Sequence, residues 1–178
     1  MNYEYMIPPF RHDGFNTLNS RQIEQYFLWY IEQSAYRIDL LNKYIKSTNC
    51  DLIMDYSPDS LIELWDWYDK YVLLNDEIND KSVSIDNGTK LFSNTVLKIA
   101  LDISFYFAET IIKNNPTIKW GYFTRPKNLM SVNKPVLLGF KSSCLDPRLI
   151  IENCSYRSIR CRNRNNLYNI YNNWLKFL

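Results

Sequence analysis

The chain has 178 residues and a formal net charge of +2, with 46% hydrophobic and 16% aromatic residues; that is core material for a single globular domain spanning 1–178 and too apolar for a disordered segment. Four scattered glycines leave no Gly-rich loop to cradle a phosphate or dinucleotide, and a lone histidine, His12, excludes three-histidine zinc sites and paired-histidine helices. No apolar run approaches the roughly 20 residues that cross a bilayer. Met1–Arg11 carries Glu4 and two prolines where a secretory leader would carry a basic stretch and then an apolar one. A cytoplasmic chain without cofactor or metal is expected.

The first helical signal runs from Ser20 to about Lys46. Ile23, Phe27, Tyr30, Ser34, Ile38, Leu41 and Ile45 recur at spacings of four and three, one stripe along a helix. Ser34-Ala35 marks a bend or narrow contact in its middle, and Arg37 falls mainly off the stripe. A second helix opens on Ser57 as cap, Pro58 in the first turn and Asp59 at the positive end of the dipole. Leu61, Leu64, Trp65, Tyr68 and Val72 form its apolar face; Asp59, Glu63, Asp66 and Lys70 line the other side.

Asn75–Gly88 reads as a polar, acidic connector, with Asp76, Glu77, Asp80 and Asp86 against Lys81. It lacks the alternating acids of a calcium loop. A third helix spans about Thr89–Asn114, with Val96, Ile99, Ala100, Ile103, Phe107 and Ile111 as its core face and Pro116 as its stop. The period then drops to two. Ile118–Phe123 and Val132–Phe140 read as strands, the second interrupted by Pro135, which suits an edge or bulge. Leu149–Ile151 fits a third strand or a short helix, and an amphipathic helix from about Asn165 closes the chain. The expected fold is α+β and helix-dominated: three long helices, a small late antiparallel sheet and a C-terminal helix.

Chemistry-bearing groups are few. Asp102 and Glu109 stand seven apart on the third helix and nearly share a face, a possible buried polar pair or, in a small hydrolase or transferase with Tyr106, a general acid and base. Lys98 four residues before Asp102 and Lys113 four after Glu109 favour intrahelical ion pairs instead. A buried Glu109 would need a donor such as Tyr106 or an arginine. His12 beside Asp13 reads as an exposed histidine in a terminal strand or turn. Cys50, Cys144, Cys154 and Cys161 form no Cys-x-x-Cys pair, so reduced thiols are expected.

Residues 141–178 hold 7 Lys/Arg against 2 Asp/Glu, concentrated in Arg157, Arg160, Arg162 and Arg164. An extended segment would set three of these on one face for an anion or nucleic acid. Packing over the acidic helices of the same domain is the favoured reading, because the overall charge is near neutral and no nucleic-acid-binding motif accompanies them. Trp67, with Asp66 and Asp69 beside it and Asp76, Glu77, Asp80 and Asp86 close by, forms a candidate partner-binding surface. The 20 Asn, 18 Ile and 14 Tyr against 3 Ala follow AT-rich codons, so the abundance of Asn and Tyr is not itself read as a binding surface.

Several stretches form a familiar pattern: Tyr26-Phe27-Leu28-Trp29-Tyr30-Ile31 with Arg37, Asp55 to Trp67, Ile99 to Glu109, Lys119 to Lys127, and Asn133 to Phe140. Together they resemble a family of small, uncharacterised proteins of low-GC Gram-positive bacteria, similar in general character to the immunity proteins of polymorphic-toxin and contact-dependent systems. The chain departs from that pattern at Ala108, where Gly is expected before Glu109. The resemblance implies a non-catalytic protein that binds a cognate toxin and carries over no catalytic residue; from composition and motifs, no membrane partner is expected and nucleic acid is disfavoured.

Overall fold

The computed structural model describes residues 3–73, 92–127, 129–141 and 143–178. A capping box opens helix α1 (Ser20–Glu32): the Asn19 side chain accepts from the Gln22 amide, and the Gln22 side chain accepts from that of Asn19. The sequence stripe continues through a one-residue break at Gln33 into α2 (Ser34–Ser47), so the expected single helix is two, meeting at the anticipated bend. Helix α3 (Ser60–Trp67) begins two residues after Pro58, with Asp59 as its N-cap; the expected cap, Ser57, sits in the tight turn before it, its hydroxyl accepting from the Ser60 amide. It runs on as a π-helical turn, Tyr68–Leu73.

The centre of the molecule is α4 (Asn94–Asn114), capped by Ser93. Its expected core face is buried. So, however, is every residue from Asp102 to Ala108, because α2 and α5 (Pro147–Arg160) pack against it from different directions. Strands β1 (Lys119–Gly121) and β2 (Val136–Leu138) pair antiparallel, Trp120 opposite Leu137, and an isolated bridge from Leu137 to Leu145 extends the pairing. The second strand is shorter than the Val132–Phe140 run suggested and begins after Pro135, which has no amide hydrogen to give a ladder. Gly139 ends it at φ +118°, where a Cβ would stand 2.5 Å from the Thr117 carbonyl oxygen. Leu149–Ile151 lies inside α5, resolving the strand-or-helix alternative in favour of a long helix. Helix α6 (Asn166–Leu175) then packs on α3. The fold is α+β and helix-dominated, with a two-stranded antiparallel sheet late in the chain.

Candidate functional site

Asp102 and Glu109 do not act on one another. Asp102 is fully buried and held from three directions: Arg37 Nε to Oδ1 at 2.7 Å, Arg37 Nη2 to Oδ2 at 2.9 Å, and the Tyr3 hydroxyl to Oδ2 at 2.5 Å. Arg37, expected mainly off the apolar stripe, is instead 1% exposed, and its Nη2 also donates to the Glu4 carbonyl at 3.1 Å. Burial pushes the Asp102 carboxyl up to about 6, against the downward pull of Arg37 and Tyr3. Both oxygens are engaged in tying α2 and the N-terminal segment to α4.

Glu109 belongs to a second, separate cluster. Its Oε1 accepts from the Ser34 hydroxyl at 3.2 Å and from Trp120 Nε1 at 2.9 Å, joining the α1–α2 bend to β1. The expected donor, Tyr106, is committed elsewhere: its oxygen accepts from the Tyr56 amide at 2.9 Å and lies 2.7 Å from Ser60 Oγ. Nor do the expected intrahelical ion pairs form. Lys98 Nζ donates to the Tyr3 carbonyl at 3.0 Å, and Lys113 Nζ sits 3.7 Å above the Tyr56 ring. The residues of the acid–base alternative are thus distributed over three fold-holding contacts.

The partner surface needs correction too. Trp67 is 7% exposed, donates from Nε1 to Thr48 Oγ1 at 3.0 Å and stacks on Tyr71, so it is not an exposed anchor. Asp69 is also buried, with Arg162 Nε 3.9 Å away. Its spacing held the clue, since Asp69 stands four residues after the core Trp65 and so shares its face. Asp66 remains half-exposed and pairs with Lys70 at 2.8 Å. Asp76, Glu77, Asp80 and Asp86 lie outside the described residues.

What the structure does assemble nearby is an open groove of about 540 Å³ between the end of α2 and α3. Asp51, Glu63 and Asp66 line it together with Tyr71, Lys70 and Arg164. Tyr71 is 41% exposed and takes the outward position that Trp67 was expected to hold; Ile53, close by in sequence, is 69% exposed.

The arginine-rich end does not form an extended basic face. Arg157 and Arg160 lie in the last turns of α5, where cations offset the helix dipole. Arg162 and Arg164 turn toward Asp69 and the acid-lined groove, as the packing alternative expects. His12 is half-buried rather than exposed, with Phe15 at 4.9 Å and Tyr26 at 5.6 Å between ring centroids. All four cysteines are free thiols; burial pushes the Cys154 thiol up to about 11, leaving it protonated and unreactive near neutrality. Among the described residues no helix is long and apolar enough to cross a membrane, and no three His, Cys, Asp or Glu side chains gather as a metal cluster would. Compared with protein-family models, curated proteins and solved structures, the chain matches none.

Proposed function

We propose that this chain is a cytoplasmic binding protein, an immunity protein that neutralises a cognate bacterial toxin by occluding it. The observation that carries the reading is the groove beside α3, where Asp51, Glu63 and Asp66 outnumber Lys70 and Arg164 around a partly exposed aromatic, Tyr71. An aromatic anchor with a charged rim is the usual make-up of a protein-binding patch. Its carboxylates suit a basic partner, whose capture they would accelerate by steering. The candidate acid–base side chains support the same reading from the other direction, since Asp102, Glu109 and Tyr106 are occupied in holding helices together.

The test is co-expression with the proteins encoded by the flanking genes. One of them is expected to arrest growth alone and to be silenced by this chain, with a purified complex whose association slows as salt rises. The Glu63→Lys/Asp66→Lys double variant should lower the association rate about tenfold at low ionic strength. If neither neighbour is toxic and neither binds, the proposal is wrong.

A further inference from the structure

A second concavity lies away from the acidic groove and has the opposite character. It is a cleft of about 310 Å³ between the N-terminal segment, α1 and the first turns of α4, closed at one end by Arg148 of α5. That volume falls at the lower end of small-molecule sites. Its wall is aromatic: Tyr26 meets Phe15 edge-on at 5.0 Å and Trp29 edge-on at 5.2 Å, and the His12 ring stands against both Phe15 and Tyr26.

No carboxylate lines this cleft among the described residues, yet three cations do: Arg37, Lys98 and Arg148. Arg37 is neutralised by Asp102. Lys98 gives a hydrogen bond to the Tyr3 carbonyl and has no carboxylate partner among the described residues. Arg148 makes no hydrogen bond or ion pair with any described residue, although Glu152 stands one helical turn away. Burial pushes the Tyr26 and Tyr30 phenols up and the Arg148 guanidinium, which lines the same cleft, pulls both partly back. The same Arg148, with Phe15, Tyr26 and Tyr30, also borders an adjoining recess of about 280 Å³, whose lining includes Asp146, Glu152 and Lys134.

We propose that this cleft binds a small aromatic anion, with a planar ring against Tyr26 and Trp29 and a carboxylate or phosphate received by Arg148 and Lys98. The ring supplies area that the edge-to-face wall can extend, and a guanidinium matches a planar or tetrahedral oxyanion in a bidentate way. No residue lines both this cleft and the acidic groove.

His12 is the only histidine of the chain, so its ring C–H signals in isotope-labelled full-length protein report on the cleft without ambiguity. Four probes divide the chemistry: indole-3-acetate and adenosine monophosphate carry ring and charge, indole carries the ring alone, and inorganic phosphate the charge alone. At least one ring-bearing anion should shift His12 saturably with a Kd below about 1 mM, and indole and phosphate should each bind at least about tenfold more weakly. Which of the two saturates tells carboxylate from phosphate. Arg148→Gln, an exposed position, should weaken that binding about tenfold, as should Lys98→Gln, with Tm changed by no more than about 2 °C. Failure of both ring-bearing anions to saturate by about 10 mM, equal binding of uncharged indole, or unchanged affinity in Arg148→Gln would each overturn the assignment.

Discussion

Tyr106→Phe removes one oxygen and leaves every ring contact of α4 in place, so it isolates what that hydroxyl holds. Its oxygen accepts from the Tyr56 amide (2.9 Å) and lies against Ser60 Oγ (2.7 Å), which itself donates to the Ser57 carbonyl at 2.6 Å. In the variant Ser60 keeps its carbonyl acceptor, whereas the Tyr56 amide loses the only acceptor it has among the described residues. An orphaned amide costs about 1–3 kcal/mol when buried. Tyr56 is half-buried and sits at φ 62°, so water reaches part of the turn and the lower half of that range applies, about 1–2 kcal/mol.

With a urea m-value of about 2 kcal/mol/M, the denaturation midpoint should fall by about 0.5–1 M. Amide exchange at Tyr56 should accelerate more than exchange elsewhere in the turn. The consequence reaches the acidic groove, because this turn leads into α3 and sets the start of the helix that carries Glu63 and Asp66. A loss under about 0.5 kcal/mol, the scale of a neutral surface change, together with unchanged exchange at Tyr56, would refute the role assigned to Tyr106.

The Arg37–Asp102 pair provides two further expectations. Arg37→Met should destabilise by about 3 kcal/mol or more at pH 7, because the remaining buried carboxylate keeps only Tyr3, whereas the doubly apolar Arg37→Met/Asp102→Leu should recover much of that loss; urea midpoints of both variants decide it, and a double variant no better than the single one would contradict the reasoning. The Asp102 carboxyl carbon should titrate near pH 6 by NMR. The folded protein then holds a proton that the unfolded chain has already released, so this group's contribution is full below about pH 4 and is lost, by about 3 kcal/mol, as pH rises through 6. A midpoint at or below 4 would be incompatible with that sign.

What the amino-acid order determined was local. Periodicity located α1, α2 and α4, and the Ser57-Pro58 signal located the start of α3, because caps, proline and 3.6-residue spacing act within a few residues of themselves. The change of period after Pro116 likewise announced β1. Even so, α5 was legible only as an alternative at Leu149–Ile151: its face alternates Ile151, Cys154, Ser155 and Ser158, small and polar residues that carry little periodic contrast until α4 covers them.

Only tertiary packing decided the sites. Arg37 stands four residues before Leu41, which puts it on the buried side, but a charge there is tolerable only because Asp102, 65 residues later, arrives opposite it. Trp67 was drawn inward by Thr48 and Tyr44 from another helix end, and Arg162 was turned toward Asp69 by the fold of its own domain. The cationic, aromatic cleft has no sequence signature at all: five separate segments contribute to it, and Arg148, without an ion pair among the described residues, differs from any surface arginine only in what surrounds it. Spacing along one element records which face is apolar. It does not record which group of a distant element will meet that face, and that meeting is what sets burial, charge balance and chemistry.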